Sequence, residues 1–490
     1  MNRFLPIAPI IGLILMLFSV TYLLPIATAL VYHDGTLSFF MEGMSTCFLS
    51  GSLLWIATRH FQRELRPADG YLLVVLAWGV TAAMATQPLI LAIGGLSFTD
   101  AYFETMSGFT TTGATVLTGI DKLPQAINLW RHLLHWLGGM GIIMLAIAIL
   151  PLLGVGGRQL YRAETPGPMK DTKLTPRLAE TAKNLWYLYV GLTGACIVAL
   201  WLAGMNWFDA ICHAFATLSL GGFSTHDASI GFFDSVAIEA VLIFFMLLAA
   251  MNFATHFLAW RRWSLSPYGH DPELQPFLAL IFLSCLGIAM FLWRHGVYPD
   301  FGTALRHASF NLISIATDCG FVSVDYGQWP IFAPLWILFL SCVAACSGST
   351  GGGMKLIRSL ILYRQTAREM VTLVHPHAIH PLTIGSLAIG SLAVPTQVIL
   401  SVLGFVELYF FSILVMTFVL VASGLDFLSS FSAIIACINN AGPGLNKVGP
   451  ATNYASLTDF QTWVCTTTML LGRLELFTVV VIFTRVFWRG

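Results

Sequence analysis

The sequence has very little charge. Only 10% of its 490 residues are charged, and the 24 basic residues balance the 24 acidic ones. Soluble proteins carry about 25% charged residues, so this scarcity, together with 57% hydrophobic residues, excludes a soluble globular protein. The zero net charge also argues against a nucleic acid as partner. The chain is therefore predicted to be a polytopic membrane protein.

Several chemical motifs are missing as well. None of the nine cysteines forms a CxxC pair, which argues against a zinc site or a disulfide framework. No HExxH, GxSxG or paired-carboxylate arrangement stands out. The apolar run at residues 4–31 is too long for a signal peptide and lacks a clear cleavage site, so we expect a retained helix. We predict that the chain is not an enzyme and holds no cofactor of its own.

Ten apolar stretches approach or exceed the roughly 20 residues that a membrane-spanning helix needs. They cover residues 5–31, 38–57, 71–94, 133–156, 185–204, 236–260, 275–293, 331–362, 398–422 and 460–487. An even number of spans places both termini on the same side. Eighteen of the 24 Lys and Arg residues fall on that side. Because cytoplasmic loops are rich in Lys and Arg, both termini are predicted to be cytoplasmic.

Four loops on the opposite side share one layout, an apolar stretch of helical length that ends in a polar run containing glycine. They read DAYFETMSGFTTTGAT (100–115), DAICHAFATLSLGGFS (209–224), HASFNLISIATDCGFV (307–322) and SSFSAIIACINNAGPG (429–444). When Gly113, Gly222, Gly320 and Gly442 are aligned, small residues recur twelve and six positions earlier. Such recurrence indicates one structural unit used four times. The predicted division is 1–68 for an N-terminal helix pair and 69–177, 178–264, 265–370 and 371–490 for the repeats.

Each of these loops is predicted to dip into the membrane as a short helix and to return as a non-helical segment. Unsatisfied peptide groups cost several kcal/mol in lipid, so such a segment must be buried in protein or line a watery cavity. Four return segments around one axis would replace the water around a cation with carbonyl oxygens. The negative C-terminal ends of the short helices would favour a cation at the same point. The alternative, four ordinary turns outside the membrane, is disfavoured by the recurrence.

A second glycine cluster, AACSGSTGGGMK at residues 344–355, interrupts the eighth span. Each glycine costs a helix about 1 kcal/mol relative to alanine, so four within six residues cannot sustain one. We predict a mobile intramembrane loop that blocks or opens the ion path. A glycine kink for close helix packing is the alternative. A phosphate-binding loop is not indicated, because no strand precedes it and Met354 and Leu356 flank Lys355.

Arg473 lies in the middle of the tenth predicted span. A central arginine costs about 2.5–3.5 kcal/mol on insertion scales and usually faces a polar interior. We predict that it points into the pore below the filter and adds a positive barrier. The alternative is a structural ion pair with Glu407 or Glu239. Glu475, two residues on, would lie on another face of the same helix.

Six segments together resemble one known family. They are FTTTGATVLTGID (109–121), HWLGGMGIIMLAIAILPLLG (135–154), SLGGFSTHD (219–227), CSGSTGGGMKLIRS (346–359), INNAGPGL (438–445) and LGRLELFTVV (471–480). In this order they resemble the TrkH/KtrB family of potassium transporters, and the N-terminal helix pair is a feature of its TrkH type. The resemblance runs from residue 1 to residue 490.

The resemblance implies an all-α polytopic fold: two N-terminal helices plus four span–pore-helix–span repeats around one central pore, similar to a potassium channel. It implies potassium uptake across the bacterial inner membrane by a homodimer with one pore per protomer. It also implies a TrkA-like cytoplasmic regulatory subunit, on which any ATP, ADP or NAD would bind. The basic run at residues 158–183 is expected to contact lipid head groups.

Carried over by position, the resemblance implies a set of site residues. The potassium-binding filter would comprise Thr111, Thr112, Gly113, Leu220, Gly221, Gly222, Asp318, Cys319, Gly320, Asn440, Ala441 and Gly442. The gate would comprise Cys346, Gly348, Gly351, Gly352, Gly353, Lys355 and Arg473. In related plant transporters a serine at the first filter glycine accompanies sodium selectivity, so Gly113 implies potassium.

Some alternatives stay open. The chain could instead be a sodium-permeable or proton-coupled carrier of the same fold, and a coupled carrier would use Glu407 and Asp318. A receptor or scaffold subunit without transport is a further possibility. His375, His377 and His380 lie near prolines; a linker at the membrane interface or a docking surface for the regulator fits them better than a metal site.

Overall fold

The computed structural model describes residues 4–61, 65–141, 178–376, 383–384 and 392–489, and these are predominantly helical. One antiparallel pair of short strands joins Thr383–Ile384 to Leu392–Ala393. The prediction of a helical membrane protein is confirmed. Part of the fourth predicted span, the basic run up to residue 177, and both His377 and His380 lie outside the described residues.

The N-terminal helices form a tight pair. The first comprises Phe4–Ser19 and Leu23–Tyr32, joined by a 3-10 turn, and the second is Leu37–Thr58. They touch at Gly12 and Gly51, where a Cβ on either residue would lie 2.7 Å from the other's carbonyl oxygen. Small residues allow this close approach of membrane helices. The Tyr22 hydroxyl donates to the Met84 carbonyl at 2.9 Å and fastens the pair to the first repeat.

Six helical stretches among the described residues are long and apolar enough to cross a membrane. They are Phe4–Tyr32, Leu37–Thr58, Ala68–Ala92, Ala182–Leu202, Leu274–Arg294 and Thr396–Ala422. They match six of the predicted spans. The third stretch consists of two helices, Pro67–Ala85 and Gln87–Ala92. Four of the six, beginning at Pro67, Leu178, Leu274 and Thr396, are the outer helices of the repeats.

The four helices that follow the return segments, here called the inner helices, are Gln125–Gly139, Val236–Ala250, Phe332–Val343 and Asp459–Arg473. The predicted interruption at 344–355 is confirmed, because the chain resumes as the helix Leu356–Val374. The prediction of an unbroken sixth span was wrong: Val236–Ala250 and Phe253–Arg262 meet at 96°. Asn252 caps the second piece by accepting from the Ala254 N–H at 2.9 Å.

The tenth predicted span is also bent, by 114° between Asp459–Arg473 and Leu476–Phe483. Arg473 therefore ends a helix instead of lying in the middle of one, which corrects the sequence-based placement. Glu475 has a φ of 57° at the bend. The shorter helices of the structure are Ser266–His270, Leu476–Val480 and Arg485–Arg489, with 3-10 turns at Val20–Tyr22, Ile120–Lys122, Ser229–Phe232, Tyr326–Gln328, Asn446–Val448, Tyr454–Ser456 and Val481–Phe483.

The four predicted dipping helices, here called pore helices, are Phe98–Phe109, Trp207–Ser219, Phe301–Ala316 and Phe427–Asn439. Each is preceded by a capping residue whose side chain accepts from the backbone N–H three residues on; the caps are Ser97, Asn206, Asp300 and Asp426. Such caps satisfy an otherwise unpaired N–H and fix where a helix begins. Hydrogen bonds from Thr303 lower the pKa of the Asp300 carboxyl.

The repeats close into a ring. Each pore helix packs against the outer and inner helices of its own repeat. The second, third and fourth pore helices also pack against the inner helix of the preceding repeat, and the first packs against the inner helix of the fourth. This cyclic packing brings the C-terminal ends of all four pore helices to one axis. The exact repeat boundaries stay a prediction.

Both ends of the described chain lie together. The rings of Phe4 and Trp488 have centroids 6.2 Å apart, so the first and last helices reach the same side of the protein. We call this the terminal side, and the side on which the pore helices begin the vestibule side.

Candidate cation filter and gate

The four return segments share an unusual backbone. The residue two positions before each aligned glycine has a positive φ: 53° at Thr111, 54° at Leu220, 64° at Asp318 and 58° at Asn440. The glycines themselves follow with φ of 78°, 77°, 92° and 83°. Left-handed residues other than glycine are uncommon and costly, so this fourfold coincidence marks a common backbone form. Alternating the sign of φ allows successive carbonyl groups to point to the same side.

The return segments encircle one axis in chain order. A Cβ on Gly113 would collide with the Gly221 carbonyl oxygen, and one on Gly222 with that of Cys319. A Cβ on Gly320 would lie 2.7 Å from the Ala441 oxygen. A Cβ on Gly442 would lie 2.6 Å from the Thr112 oxygen, which closes the circle. Glycine is required at this column because neighbouring carbonyl groups already occupy the space of a side chain.

The structure thus brings all twelve predicted filter residues together, while their service as cation ligands stays a prediction. Above them, on the vestibule side, a cavity of about 80 Å³ is lined by the four aligned glycines and by the residues that follow them. The filter wall is hydrogen-bonded across the seam between the fourth and first repeats: the Asn440 amide donates to the Thr112 hydroxyl at 3.0 Å.

A buried ion pair supports the filter from behind. The side chains of Glu104 and Arg131 are at most 1% exposed, and Arg131 Nη2 lies 2.8 Å from Glu104 Oε1. Arg131 also donates to the Ser224 carbonyl at 3.3 Å, and its guanidinium lies 4.2 Å from the centroid of the Phe223 ring. Glu104 accepts from the Val116 N–H at 3.1 Å. The pair therefore joins the return segments of the first and second repeats, which sequence reasoning missed.

Replacing Arg131 by methionine should destabilise the protein by about 3–5 kcal/mol, because Glu104 would keep a buried charge without its main partner. The melting temperature of the purified protein in detergent should fall accordingly. The double variant Glu104→Gln with Arg131→Met removes both charges and is expected to recover part of the loss. A melting temperature for Arg131→Met equal to that of the unmodified protein would contradict a supporting role for the pair.

The loop 344–355, here called the gate loop, lies beneath the filter on the terminal side. The Thr350 hydroxyl donates to the Leu218 carbonyl at the end of the second pore helix, at 3.0 Å. A Cβ on Gly351 would lie 3.0 Å from the Thr317 oxygen after the third pore helix, and one on Gly352 would collide with the Asn439 oxygen of the fourth. The tip of the loop therefore fits under three of the four pore helices and leaves no room for larger residues.

Arg473 lies beside the gate loop, beneath the pore helix of the first repeat. Its Nη1 donates to the Thr350 carbonyl of the gate loop at 2.8 Å. Its Nη2 donates to the Gly139 carbonyl at 3.0 Å, and also to that of Gly138. A Cβ on Gly138 would collide with the Phe109 carbonyl oxygen at the end of the first pore helix. The guanidinium thus bridges the gate loop to the first repeat directly below the filter.

Two of the acidic residues considered near Arg473 form ion pairs with other arginines. Glu239 Oε1 lies 2.7 Å from Arg306 Nη2, and Glu475 Oε1 lies 2.9 Å from Arg358 Nη2. Glu407 lies exposed on the helix Thr396–Ala422.

Two further predicted gate residues, Lys355 and Cys346, hold the loop by hydrogen bonds. Lys355 is buried, with a φ of 68°. Its Nζ donates to the Ser349 hydroxyl at 3.3 Å and to the Gly351 carbonyl. The Cys346 N–H donates to the Ala250 carbonyl at 3.1 Å, where the second inner helix ends.

The predicted histidine cluster is only partly described. His375 is exposed just after the helix Leu356–Val374. Over the described ranges, no three His, Cys, Asp or Glu side chains are grouped so that they could hold a metal ion.

Four short helices that aim their C-terminal ends at a ring of backbone carbonyl groups, inside a helical membrane protein, define a channel-like cation transporter. The profile of the TrkH family, described as cation transport protein, matches residues 36–488. The chain belongs to this family, which confirms the resemblance found in the sequence.

Curated relatives match over the whole length. The chain is 47% identical to the Trk system potassium uptake protein TrkH of Vibrio parahaemolyticus, with 100% of both chains covered. It is 45% identical to the Trk system potassium uptake protein TrkH of Escherichia coli, covering 99% of this chain and 100% of the relative. The crystal structure of the potassium transporter TrkH from Vibrio parahaemolyticus superposes with a TM-score of 0.89 at 44% identity, with full coverage of both chains.

Proposed function

We propose that this chain takes up potassium ions across the bacterial inner membrane through the four-segment filter, under control of the gate loop and Arg473. The observation that carries the proposal is the closed ring of Gly113, Gly222, Gly320 and Gly442, each of which abuts a carbonyl group or peptide plane of the next segment. The names of the relatives, as potassium uptake proteins, agree with it.

The pathway begins in the vestibule. A potassium ion there exchanges its water for carbonyl oxygens of the return segments, among them those of Thr112, Gly221, Cys319 and Ala441. Each pore helix adds the equivalent of about half a negative charge at its C-terminal end. The ion is moved without any covalent step, so the chain acts as a transporter and not as an enzyme.

Below the filter the ion meets the gate loop and the Arg473 guanidinium. Both must move aside for conduction, because Thr350, Gly351 and Gly352 lie against the ends of the pore helices. A fixed positive charge at this point also raises the barrier to a cation. Conduction is therefore controlled on the terminal side, whereas selectivity is set on the vestibule side.

We propose that the terminal side faces the cytoplasm, in line with the excess of Lys and Arg assigned to it. A TrkA-like nucleotide-binding subunit would dock there, and Arg261 and Arg262, exposed on the half-helix after the bend at residue 251, offer it basic contacts. ATP, ADP or NAD would bind to that subunit. We further propose a homodimer in which each protomer keeps its own pore.

The test is uptake in a bacterial host that lacks its own potassium uptake systems. Expression of the chain should restore growth at low potassium, and purified protein in liposomes should carry rubidium much faster than sodium. Equal rubidium and sodium fluxes would replace the potassium assignment with a sodium-permeable carrier. A flux that collapses when the proton gradient is removed, at constant membrane potential, would favour proton-coupled symport, for which buried Asp318 is the candidate.

A further inference from the structure

A buried glutamate outside the filter holds the base of the gate loop. Glu273 directly precedes the outer helix Leu274–Arg294 of the third repeat and is 4% exposed. Its carboxylate accepts from the Ser347 N–H at 3.0 and 3.2 Å and from the Ile357 N–H at 2.8 Å. Ser347 lies in the gate loop, and Ile357 is the second residue of the helix that follows it. One carboxylate therefore binds both arms of the loop.

The loop closes its own base with two backbone bonds. The Met354 N–H donates to the Cys342 carbonyl at 3.0 Å, and the Leu356 N–H to that of Ala345 at 2.8 Å. These bonds fix the shape of the base. The bonds to Glu273 fix its position relative to a neighbouring outer helix.

Burial raises the pKa of the Glu273 carboxyl group to about 7, whereas the hydrogen bonds from the Ser347 and Ile357 N–H groups oppose this rise. Ile357 belongs to the first turn of Leu356–Val374, where free N–H groups and the helix dipole stabilise a negative charge. Glu273 thus caps the helix Leu356–Val374, although it lies far from that helix in the sequence. Asp271 holds it in place: Asp271 Oδ1 accepts from the Glu273 N–H at 3.0 Å, and Oδ2 accepts from the Thr255 hydroxyl at 2.8 Å. Thr255 lies in the half-helix Phe253–Arg262, beyond the bend in the second inner helix.

We propose that Glu273 is a positioning residue of the gate. Its carboxylate holds the gate loop in the position beneath the pore helices that blocks the ion path. This inference rests on the proposed transport function. It assigns to Glu273 an effect on the closed state of the gate and none on ion selection, because its contacts are with the base of the loop and not with the filter.

The test variant is Glu273→Gln, which keeps the size of the side chain, removes its negative charge and replaces Oε2, which accepts from the Ser347 N–H at 3.2 Å, with an amide group that cannot accept. Basal rubidium flux into liposomes should rise roughly fivefold, the equivalent of about 1 kcal/mol for one lost hydrogen bond. The ratio of rubidium to sodium flux should not change. The matched control is Glu369→Gln, an exposed glutamate on the helix that follows the loop, with a side chain 59% exposed.

A second readout reports on the loop itself. Cys346 is 2% exposed, and its labelling by a membrane-impermeant maleimide, followed by mass spectrometry, should accelerate in Glu273→Gln. Glu273→Asp keeps the charge on a shorter side chain and should give intermediate flux and labelling. It keeps the inference testable if the glutamine variant does not fold. Unchanged flux and labelling in a variant, beside a conducting unmodified protein, would overturn the inference. An unmodified protein without rubidium flux would instead overturn the proposed function.

Discussion

Replacing Gly113 by serine is expected to lower the ratio of rubidium to sodium flux by roughly tenfold, equivalent to about 1.4 kcal/mol of differential stabilisation. Gly113 has a φ of 78°, and a Cβ there would collide with the Gly221 carbonyl oxygen. The added side chain must displace that carbonyl group, which changes the spacing of the ring on which ion discrimination depends. The measurement is paired rubidium and sodium flux in liposomes.

Gly119 supplies the matched control for this substitution. It lies in the same return segment with a similar φ of 69°, but no atom lies within 4 Å of its would-be Cβ. Gly119→Ser therefore imposes comparable backbone strain without touching the ring, and its flux ratio should stay unchanged. Unaltered selectivity in Gly113→Ser would mean that the aligned glycines do not form the filter.

Replacing Arg473 by alanine is expected to raise basal rubidium flux by about tenfold while leaving the rubidium-to-sodium ratio unchanged. The substitution removes a positive charge from beneath the filter and breaks the bridge between the Thr350 and Gly139 carbonyl groups. This increase corresponds to a loss of about 1.4 kcal/mol in the free energy that stabilises the closed state relative to the open state. Arg473→Lys keeps the charge but lacks the planar fork that reaches both carbonyl groups, so it should give an intermediate flux.

Arg294→Ala is the control for the arginine substitutions, because Arg294 is exposed at the vestibule-side end of its outer helix. Its flux should match that of the unmodified protein. A reduced flux in Arg473→Ala, together with a lower melting temperature, would show that Arg473 serves mainly the stability of the fold.

Much of the architecture was predictable because its signals are local. The polar runs with an aligned glycine and the glycine cluster at 344–355 both lie within short stretches of sequence. Each of these patterns indicates a backbone conformation that few residue types adopt. The column of aligned glycines and the interruption of the eighth span were therefore predicted from the sequence alone.

The bends at residues 251 and 474 were missed for a physical reason. Apolar length alone predicts a continuous helix, and the sixth span carries no glycine or proline at its break, where Asn252 is the first polar residue. A single capping residue is a weak signal for a helix break. The break is stabilised by a residue distant in the sequence, because the Phe253 N–H donates to the Gly348 carbonyl of the gate loop at 3.0 Å.

The ion pair behind the return segments and the hydrogen bonds of Glu273 were missed because their partners are far apart in the sequence. Glu104 and Arg131 are 27 residues apart, and Glu273 and Ile357 are 84 apart. Only the folded ring brings them together. The left-handed backbone at Thr111 and Leu220 was hidden for the same reason, since neither residue type favours that conformation without its surroundings.

The ring of return segments comes from four separate places in one chain. Thr111, Leu220, Asp318 and Asn440 occupy equivalent corners, although they are four different amino acids. A pore assembled from identical subunits must alter all corners at once, whereas here one codon changes a single quadrant and leaves the other three intact. A single substitution in this chain can therefore alter one quarter of the ring without altering the other three.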